Sequence, residues 1–300
     1  MSNRRFKTGP SLRTERLPPW FKVKTSLGGN YQNIRRLVKD LQLHTVCESA
    51  HCPNIWECWN AGTATFMILG NLCTRSCGFC AVPFGKPTEL DREEPDHVAE
   101  AVATLELGHA VITSVNRDEL EDGGAEIFAM TIRSIRERRP SCSVEVLIPD
   151  FQGERAALDR VFRAKPDVLA HNIETIPRLY PLVRPQAKYV RSLQILESSR
   201  RAGLISKTGI MLGLGETPEE IREVMRDLAA IRCDILTIGQ YLQPSEKHLP
   251  VARFWTPPEF QQLKEEGERM GIGYIEAGPL VRSSYHAERL VKNPHPLELL

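Results

Sequence analysis

The segment Ala64–Cys80, "ATFMILGNLCTRSCGFC", joins a short apolar run to a loop that carries three cysteines. The run Ala64–Leu69 is continuous and apolar, as is typical of a strand buried on both faces of a parallel sheet. Cys73, Cys77 and Cys80 follow a few residues after its end. Because the chemistry of such folds collects where parallel strands end, we expect this loop to lie at the functional end of the sheet.

Five further apolar runs follow, and segments with helical periodicity separate them. The runs are Ala110–Val115, Val144–Ile148, Val168–Ile173, Ile205–Leu212 and Ile235–Leu242. The helical segments are about Asp96–Leu107, Ala125–Arg138, Glu154–Ala164, Val190–Ala202 and Pro218–Ile231. Alternation of buried strands with helices predicts an α/β fold with a parallel sheet. Six units are too few for a closed eightfold barrel, so we predict a partial (β/α)6 TIM-type barrel with an N-terminal and a C-terminal extension.

The extensions have structure of their own in this prediction. A helix is expected over Tyr31–Leu43, a second over Pro258–Met270, and a strand-like piece over Gly273–Ala277. We divide the chain into an N-terminal extension (1–60), the barrel (61–255) and a C-terminal extension (256–300).

The composition is that of an ordinary globular protein: the chain has 300 residues, of which 41% are hydrophobic and 26% charged. The net charge of +1 excludes a global field that would hold nucleic acid or an anionic membrane. The sequence has neither an apolar stretch long enough to span a bilayer nor the apolar core of a secretory signal. We therefore expect a cytoplasmic, reducing location, where clustered cysteines bind metal or do redox work more often than they form disulfides.

An N-terminal arm, residues 4–24, departs from this charge balance. It carries seven basic side chains against one acidic side chain, Glu15. One interpretation is a solvated terminal arm. The other is a surface that steers an acidic protein partner.

The spacing of the three-cysteine loop, Cys73–Cys80, indicates an iron–sulfur site. Thiolates are soft ligands that suit iron–sulfur clusters or zinc. A tetrahedral zinc site needs four ligands, typically from two Cys-x-x-Cys pairs. Three thiolates in one compact loop suit three corners of a cubic 4Fe–4S cluster and leave its fourth iron open. Zinc with a distant fourth ligand is the alternative.

This loop resembles the signature loop of the radical S-adenosylmethionine enzymes, in which an aromatic residue stands where Phe79 does. The resemblance implies that the open iron is chelated by the methionine amino and carboxylate groups. An electron from the cluster then releases a 5′-deoxyadenosyl radical, while the protein supplies position and excludes water.

The same resemblance implies cofactor contacts at other strand ends. The glycine pair of "DGG" would abut the methionine amino group, and "GIMLGLGE" would approach the adenine, with methionine where the superfamily pattern has isoleucine. The "AHNIET" side chains would reach the ribose hydroxyls and the amino group, and the arginine of "LVRP" the carboxylate. The implied contacts are Gly123, Gly124, Asn172, Glu174, Arg184, Gly209, Met211, Gly213 and Glu216.

A second group of cysteines, the first trio, lies upstream at Cys47, Cys52 and Cys58. Its spacing is not usual for a zinc knuckle, but His44 and His51 lie close, so a mixed zinc site stays open. The remaining two cysteines, Cys142 and Cys233, belong to neither group, and we interpret them as small core residues.

Together, the two trios and a C-terminal "RSSY" resemble the lipoyl synthase family. The resemblance runs from about residue 46 to residue 287, through "ESAHCPNIWECW", "TSVNRDELEDGGA", "HNIETIPRLY" and "GPLVRSSYHA". It implies that the first trio holds an auxiliary 4Fe–4S cluster whose fourth ligand is a serine, Ser284, with Ser283 as the alternative. A serine oxygen is a harder ligand than a thiolate, which suits a labile iron corner.

The activity implied by this resemblance is insertion of two sulfur atoms at carbons 6 and 8 of an octanoyl chain on a lysine. The first trio's cluster would be the sulfur donor, and two S-adenosylmethionine molecules would be used per lipoyl group. Implied partners are octanoylated carrier domains of 2-oxoacid dehydrogenase E2 subunits or glycine-cleavage H protein, an electron donor such as flavodoxin or ferredoxin, and an iron–sulfur carrier. The alternatives are another radical enzyme, such as a biotin-synthase-like sulfur inserter or a methylthiotransferase, and a non-catalytic zinc or iron–sulfur protein.

Overall fold

The computed structural model describes residues 17–22, 29–50 and 52–285, and a single eight-stranded sheet runs through them. The strands follow one another across the sheet in the order of the chain. They are β1 (His44–Thr45), β2 (Ala64–Ile68), β3 (His109–Ser114), β4 (Ser143–Leu147), β5 (Val168–Ala170), β6 (Ile205–Leu212), β7 (Ile235–Gln240) and β8 (Tyr274–Gly278).

The sheet is parallel from β2 to β8, and β1 joins it antiparallel to β2. No pairing between β1 and β8 is found in the described chain, so the barrel is open. The carboxyl ends of seven parallel strands therefore meet at one edge, where a shared site can form.

Helices connect the strands and cover the sheet. The strands β2, β5 and β7 are buried along their whole length, as expected for strands with helices over their outer faces. The helices are α1 (Gly29–Asp40), α2 (Val46–Ser49), α3 (Ile55–Asn60), α4 (Glu94–Thr104), α5 (Ala125–Arg138), α6 (Arg155–Arg163), α7 (Tyr180–Val183), α8 (Tyr189–Arg201), α9 (Pro218–Ala230) and α10 (Pro257–Arg269).

Local sequence signals set several helix ends. At α9, the Thr217 side chain accepts from the Glu220 main-chain N–H at 3.3 Å, and Glu220 Oε2 accepts from the Thr217 main-chain N–H at 2.9 Å. This reciprocal pair satisfies two donors that a helix start leaves free, and Pro218 suits the first helical position.

The predicted α/β partial barrel is confirmed, with two strands more than the six expected, β1 and β8. The six apolar runs form β2 to β7, and the strand-like piece Gly273–Ala277 becomes β8, which pairs with β7. The sheet therefore has seven parallel strands and not six. The seventh, β8, follows helix α10 within the predicted C-terminal extension. The short β1, α2 and α3 were not predicted. The division at residues 60 and 255 stays a prediction.

Two apolar cores hold the fold together. The first core packs β2, β3 and β4 against α1, α4, α5 and α6, and the second core packs β6, β7 and β8 against α9 and α10. The barrel interior also holds an ion pair, Lys207 Nζ at 2.9 Å from both carboxylate oxygens of Glu145, with both side chains 1% exposed. Burial alone would raise the pKa of Glu145, but the Lys207 charge holds it below its usual value. Among the described residues, no helix is long and apolar enough to cross a membrane.

Candidate metal and cofactor site

The three-cysteine loop leaves the end of β2 and is tied through its main chain to three other segments of the chain. The Cys73 N–H donates to the Pro83 carbonyl at 2.9 Å. On the opposite side, the Gly78 N–H donates to the Val183 carbonyl at 2.8 Å, and Leu249 N–H donates to the Gly78 carbonyl at 2.9 Å. The loop therefore has a fixed path at the carboxyl edge of the sheet.

A buried arginine inside the loop anchors it to the ends of β3 and β4. Arg75 forms a two-pronged pair with Asp118, both contacts 2.7 Å, and a third contact with Asp150 at 2.6 Å. Asp150 also accepts from Arg191 Nη1 at 2.9 Å. Burial alone would raise the pKa of Asp150, but hydrogen bonds and charge from Arg75 hold it well below its usual range.

Backbone and amide donors converge on the first thiol of the loop. Cys73 Sγ accepts from the Asn116 main-chain N–H at 3.3 Å, from the Asn116 side-chain amide at 3.8 Å, and from the Arg75 main-chain N–H at 3.5 Å. Donors to sulfur stabilise thiolate charge and tune a bound cluster.

The other two thiols of the loop lie in a poorly solvated place. Burial raises the pKa of Cys77 to about 12 and the pKa of Cys80 to about 11. A thiolate is the form that binds metal, so binding there must release protons. Within the described chain, no three Cys, His, Asp or Glu side chains are arranged to hold a single metal ion. This does not argue against a cluster, because a cluster binds each thiolate through a different iron.

Polar side chains from the end of β5 lie beside this loop. Asn172 Nδ2 donates to Glu174 Oε1 at 3.1 Å, and Arg184 Nη1 donates to the Ile173 carbonyl at 3.0 Å. Burial raises the pKa of Glu174 above its usual value although the Arg184 charge opposes the shift. The charges of Arg184 and Glu174 also act on the Cys77 thiol, so this group and the loop share one site.

Two buried atoms of this group have no hydrogen-bond partner among the described residues: Asn172 Oδ1 and Arg184 Nε. Buried polar groups are nearly always satisfied, so such orphans need a reason, and an absent ligand is one. A polar ligand would gain most binding free energy from hydrogen bonds to these two atoms.

Strand β6 brings the glycine-rich segment to the same group. The Glu174 N–H donates to the Gly209 carbonyl at 2.9 Å, and the Met211 N–H donates to the Glu174 carbonyl at 2.8 Å. A Cβ at Gly209 would lie 3.1 Å from Asn172 Oδ1 and 2.7 Å from Thr237 Oγ1, so only glycine leaves this space open.

Glu216 is occupied by the loop that follows β6. Its carboxylate accepts from the Gly213 N–H at 2.6 Å, the Leu214 N–H at 2.9 Å and Trp255 Nε1 at 2.9 Å. Gly213 has φ +103°, and a Cβ there would lie 2.1 Å from Gln240 Nε2. The contacts of Glu216 therefore shape the loop, and its assignment to the cofactor stays a prediction.

The glycine pair of "DGG" opens helix α5. Gly124 has φ +90°, and a Cβ there would lie 2.3 Å from Leu69 Cδ1. Gly123 has φ +60° and packs in the same way against Phe151. Conformation and packing alone thus require glycine here, and contact with a cofactor stays a prediction. Phe79 packs against the second core.

The first trio lies where α2 and α3 meet the C-terminal "RSSY" turn. Asn54 Nδ2 donates to the Leu280 carbonyl at 2.6 Å. Tyr285 Oη lies 3.3 Å from both carboxylate oxygens of Glu57. The Arg282 charge acts on the Cys52 thiol, whose pKa burial raises. The fold therefore joins two motifs that lie more than 200 residues apart.

Each member of the first trio has a defined local setting. Cys47 is buried in α2, and burial raises its pKa to about 11. Cys52 and Cys58 are half-buried, and Cys58 lies in α3. Ser283 and Ser284 are half-buried in the turn. His51 and the arm residues 4–16 and 23–24 lie outside the described residues.

Sequence reasoning missed the side chains that hold the three-cysteine loop. Asn116 and Asp118 follow β3 directly, so the rule that chemistry collects at strand ends could have found them. Asp150 follows β4 in the same way, but its meeting with Arg75 depends on tertiary structure. The expectation for the other two cysteines is confirmed: Cys142 and Cys233 are 2% and 1% exposed.

Comparison with known proteins gives the same picture. The radical SAM superfamily profile matches residues 67–228, and the profile of the N-terminal domain of lipoyl synthase of the radical SAM family matches residues 3–52. The lipoyl synthase of Rubrobacter xylanophilus is 60% identical over 272 residues, which cover 90% of this chain and 85% of that protein. The chain belongs to the lipoyl synthase family. The family member from Mycobacterium avium is 51% identical, over 93% of this chain and 91% of its own.

Solved structures share the fold at low sequence identity. A structure of HydG, a maturase of the [FeFe]-hydrogenase, has a TM-score of 0.57 at 13% identity, over 91% of this chain and 61% of that one. Streptococcus suis SuiB bound to S-adenosylmethionine has a TM-score of 0.55 at 9% identity, over 86% of this chain and 52% of that one. The chain thus spans a half to three fifths of these larger proteins, and the likeness concerns the partial barrel.

Membership of the radical SAM superfamily brings a 4Fe–4S cluster and S-adenosylmethionine, and the residues present fit both. Three thiols stand in one fixed loop, and donors point at the sulfur of Cys73. Beside them lie the orphan atoms of Asn172 and Arg184 and the open space at Gly209. These are a thiolate donor set and a polar cradle of the kind such a pair requires.

Proposed function

We propose that this chain is a lipoyl synthase, which inserts sulfur at carbons 6 and 8 of a protein-bound octanoyl-lysine. Many radical enzymes share a three-cysteine loop, so that loop alone does not select this reaction. The observation that carries the proposal is the junction of the first trio with the "RSSY" turn, through Asn54 and the Leu280 carbonyl. High identity to family members along nearly the whole chain supports it.

In this proposal Cys73, Cys77 and Cys80 hold one 4Fe–4S cluster. Arg184 would pair with the carboxylate of S-adenosylmethionine, because its guanidinium is fixed by main-chain carbonyls and keeps an unpartnered Nε. Asn172 and Glu174 would accept from the ribose hydroxyls or the amino group. A carboxylate with a low-dielectric setting gains strongly from a cationic partner.

The first trio, Cys47, Cys52 and Cys58, would hold the auxiliary cluster with Ser284 as its fourth ligand. A hard oxygen ligand on a separate turn can leave without disturbing the three thiolates. When bound, the two clusters and S-adenosylmethionine would supply a carbon radical for unactivated C–H bonds and the sulfur that replaces the hydrogen. No side-chain acid or base could deprotonate such carbons, so the chain's own residues bind, orient and exclude water.

The remaining cofactor contacts are proposed from β6 and α5. Gly209, Met211 and Gly213 would face the adenine, with Glu216 keeping their loop in shape. Gly123 and Gly124 would present main chain near the methionine amino group, and Phe79 would pack beside the loop.

The partners of this reaction follow from its chemistry. An octanoylated carrier domain of an E2 subunit or of H protein would present the substrate lysine. A reductant such as flavodoxin or ferredoxin would supply electrons, and an iron–sulfur carrier would rebuild the auxiliary cluster. We place this reaction in the cytoplasm. We keep the division into extensions 1–60 and 256–300 and a barrel 61–255, with β8 of the C-terminal extension completing the sheet of the barrel.

The test is anaerobic turnover of an octanoyl-lysyl peptide, scored for the dithiol product and for 5′-deoxyadenosine. Both should form. A thioether or methylthio product would instead indicate another radical sulfur inserter, and zinc without 5′-deoxyadenosine a non-catalytic protein. Reconstituted chain should hold about eight irons, the sum of two four-iron clusters.

Variants separate the two sites. Cys73→Ala should abolish 5′-deoxyadenosine formation, whereas Cys52→Ala and Ser284→Ala should retain it and lose dithiol product. Cys142→Ala, which changes a core cysteine outside both groups, is the matched control and should keep both products. Dithiol from Cys52→Ala would show that the sulfur-donor assignment is wrong.

A further inference from the structure

The chain turns sharply between β2 and the three-cysteine loop. Leu69 has φ +70° and Gly70 has φ +86°. A left-handed conformation is easy for glycine but strained for leucine, and strain of this kind persists only where neighbours enforce it. This turn sets the direction in which the chain leaves the sheet three residues before Cys73.

Two buried ionisable side chains hold the turn, one at its N–H groups and one at a carbonyl. Glu94 Oε2 accepts from the Leu69 N–H at 2.6 Å, and Glu94 Oε1 accepts from the Gly70 N–H at 3.4 Å. Arg117 Nη1 donates to the Leu69 carbonyl at 3.0 Å. Glu94 is 7% exposed and Arg117 3%, so neither contact competes freely with water.

The two side chains come from different elements, which makes the grip rigid. Glu94 is the first residue of α4, and Arg117 follows β3. Arg117 also donates to the Glu89 carbonyl at 3.0 Å and pairs with Glu119. The Leu69 side chain in turn fills the space that Gly124 leaves open. Helix α4, the end of β3 and the glycine pair of "DGG" thus together fix the position of Leu69.

We propose that Glu94 and Arg117 are positioning residues for radical generation, acting through the Leu69–Gly70 turn to set the place of the three-cysteine loop. Neither side chain is assigned to touch a cluster or S-adenosylmethionine. The inference rests on the proposed radical chemistry at that loop. The inference extends the proposed function by naming two side chains that set the position of the three-cysteine loop through the turn that precedes it.

The direct test is residue-resolved amide hydrogen exchange on the reduced apo-protein, because the Leu69 and Gly70 N–H groups are the hydrogen bonds in question. In Glu94→Ala both amides should exchange at least about tenfold faster, because each of these N–H groups loses its acceptor. Glu94→Gln should restore most of the protection at Leu69, because the amide keeps one carbonyl acceptor. Burial raises the pKa of Glu94 to about 7, so the neutral acid that glutamine copies is already populated at neutral pH.

The functional arm uses chains that carry Cys52→Ala. It measures their cleavage of S-adenosylmethionine to 5′-deoxyadenosine and their iron content. Glu94→Ala and Arg117→Met should lower the rate of cleavage by about tenfold or more and raise the S-adenosylmethionine concentration at which cleavage is half-maximal. Glu94→Gln should restore part of both. Glu93→Ala, at the exposed neighbouring position, should stay within about twofold in both arms. Exchange of the β6 and β7 amides reports any general loss of stability.

The outcomes are separable. Faster exchange at Leu69 and Gly70 with unchanged cleavage would overturn the positioning role, and unchanged exchange would overturn the grip itself. Equal acceleration throughout the sheet would reduce Glu94 to a residue of general stability and also refute the proposal. Because the readout is S-adenosylmethionine cleavage, a wild-type chain that cleaves without making dithiol would refute the proposed function and leave this inference standing.

Discussion

The substitution Arg75→Met tests how the three-cysteine loop is fastened to the barrel. Methionine keeps much of the apolar volume of the arginine stem and removes the guanidinium. Three contacts are lost, two with Asp118 and one with Asp150. The fourth contact of this group, from Arg191 to Asp150 at 2.9 Å, remains.

The expected cost follows from burial. The Arg75 side chain is 5% exposed and Asp150 1%, whereas Asp118 is 28% exposed and can rehydrate. Removing one partner of a buried pair leaves an uncompensated charge and costs about 3–5 kcal/mol. Because Arg191 still neutralises part of Asp150, we expect a value near the lower end, about 3 kcal/mol. The thermal midpoint should fall by roughly 6–12 °C at about 2–4 °C per kcal/mol.

The assay is denaturant unfolding of the reduced apo-protein under anaerobic conditions, so that no cluster contributes to stability. Arg92→Met, at an exposed position in the segment that follows the loop, is the control and should change stability by less than about 0.5 kcal/mol. Arg75→Lys should fall between, because lysine cannot form the two-pronged pair. A loss below about 1 kcal/mol for Arg75→Met would show that the buried network does not fasten the loop.

Two further predictions concern pH and packing. Burial lowers the pKa of His171 to about 4, so the stabilisation that depends on its neutral form should be complete above about pH 6.5 and be lost as pH falls from 6.5 through 4. This loss of unfolding free energy, roughly 3 kcal/mol at 1.36 kcal/mol per pKa unit, should be much smaller in His171→Gln. Equal slopes of unfolding free energy against pH in the two proteins on the acid side would contradict the assignment of the loss to His171. Gly124→Ala should cost about 2–4 kcal/mol in unfolding experiments, from left-handed strain plus the clash with Leu69. Gly203→Ala, with similar φ but open space around its Cβ direction, should cost only about 1–2 kcal/mol; equal costs at the two glycines would mean that packing at Leu69 plays no part.

The sheet could be predicted from the sequence because its signal is local. Each run from Ala64–Leu69 onward is apolar, bounded and followed by a helical period, so strand and helix are separable without tertiary knowledge. The strand-like piece Gly273–Ala277 was recognised, but it was assigned to the C-terminal extension. Its pairing with β7, which makes it β8 of the sheet, is a tertiary contact that the local pattern does not show. The pair α2 and α3 was missed because four to six residues are too few to show a period.

The cysteines proposed as ligands could be identified from the sequence, whereas the side chains that hold their loop could not. Cysteine spacing is a property of the chain itself, so Cys73, Cys77 and Cys80 stand out by type and interval. The supports are different, because Arg75 meets Asp150 across 75 residues and Glu94 meets Leu69 across 25. Such meetings are decided by which strand ends become neighbours, and one sequence does not contain that information in local form.

The proposed auxiliary site depends on the fold most strongly of all. Asn54 and Leu280 meet across 226 residues, and β8, which pairs with β7, leads the chain to the carboxyl edge where they meet. If Ser284 closes that site, the auxiliary cluster can be completed only on a barrel whose last strand is in place. The chain up to β8, which begins at Tyr274, would supply three thiolates to this site and no fourth ligand. A fourth ligand that lies beyond β8 would therefore make completion of the proposed auxiliary cluster depend on a folded barrel.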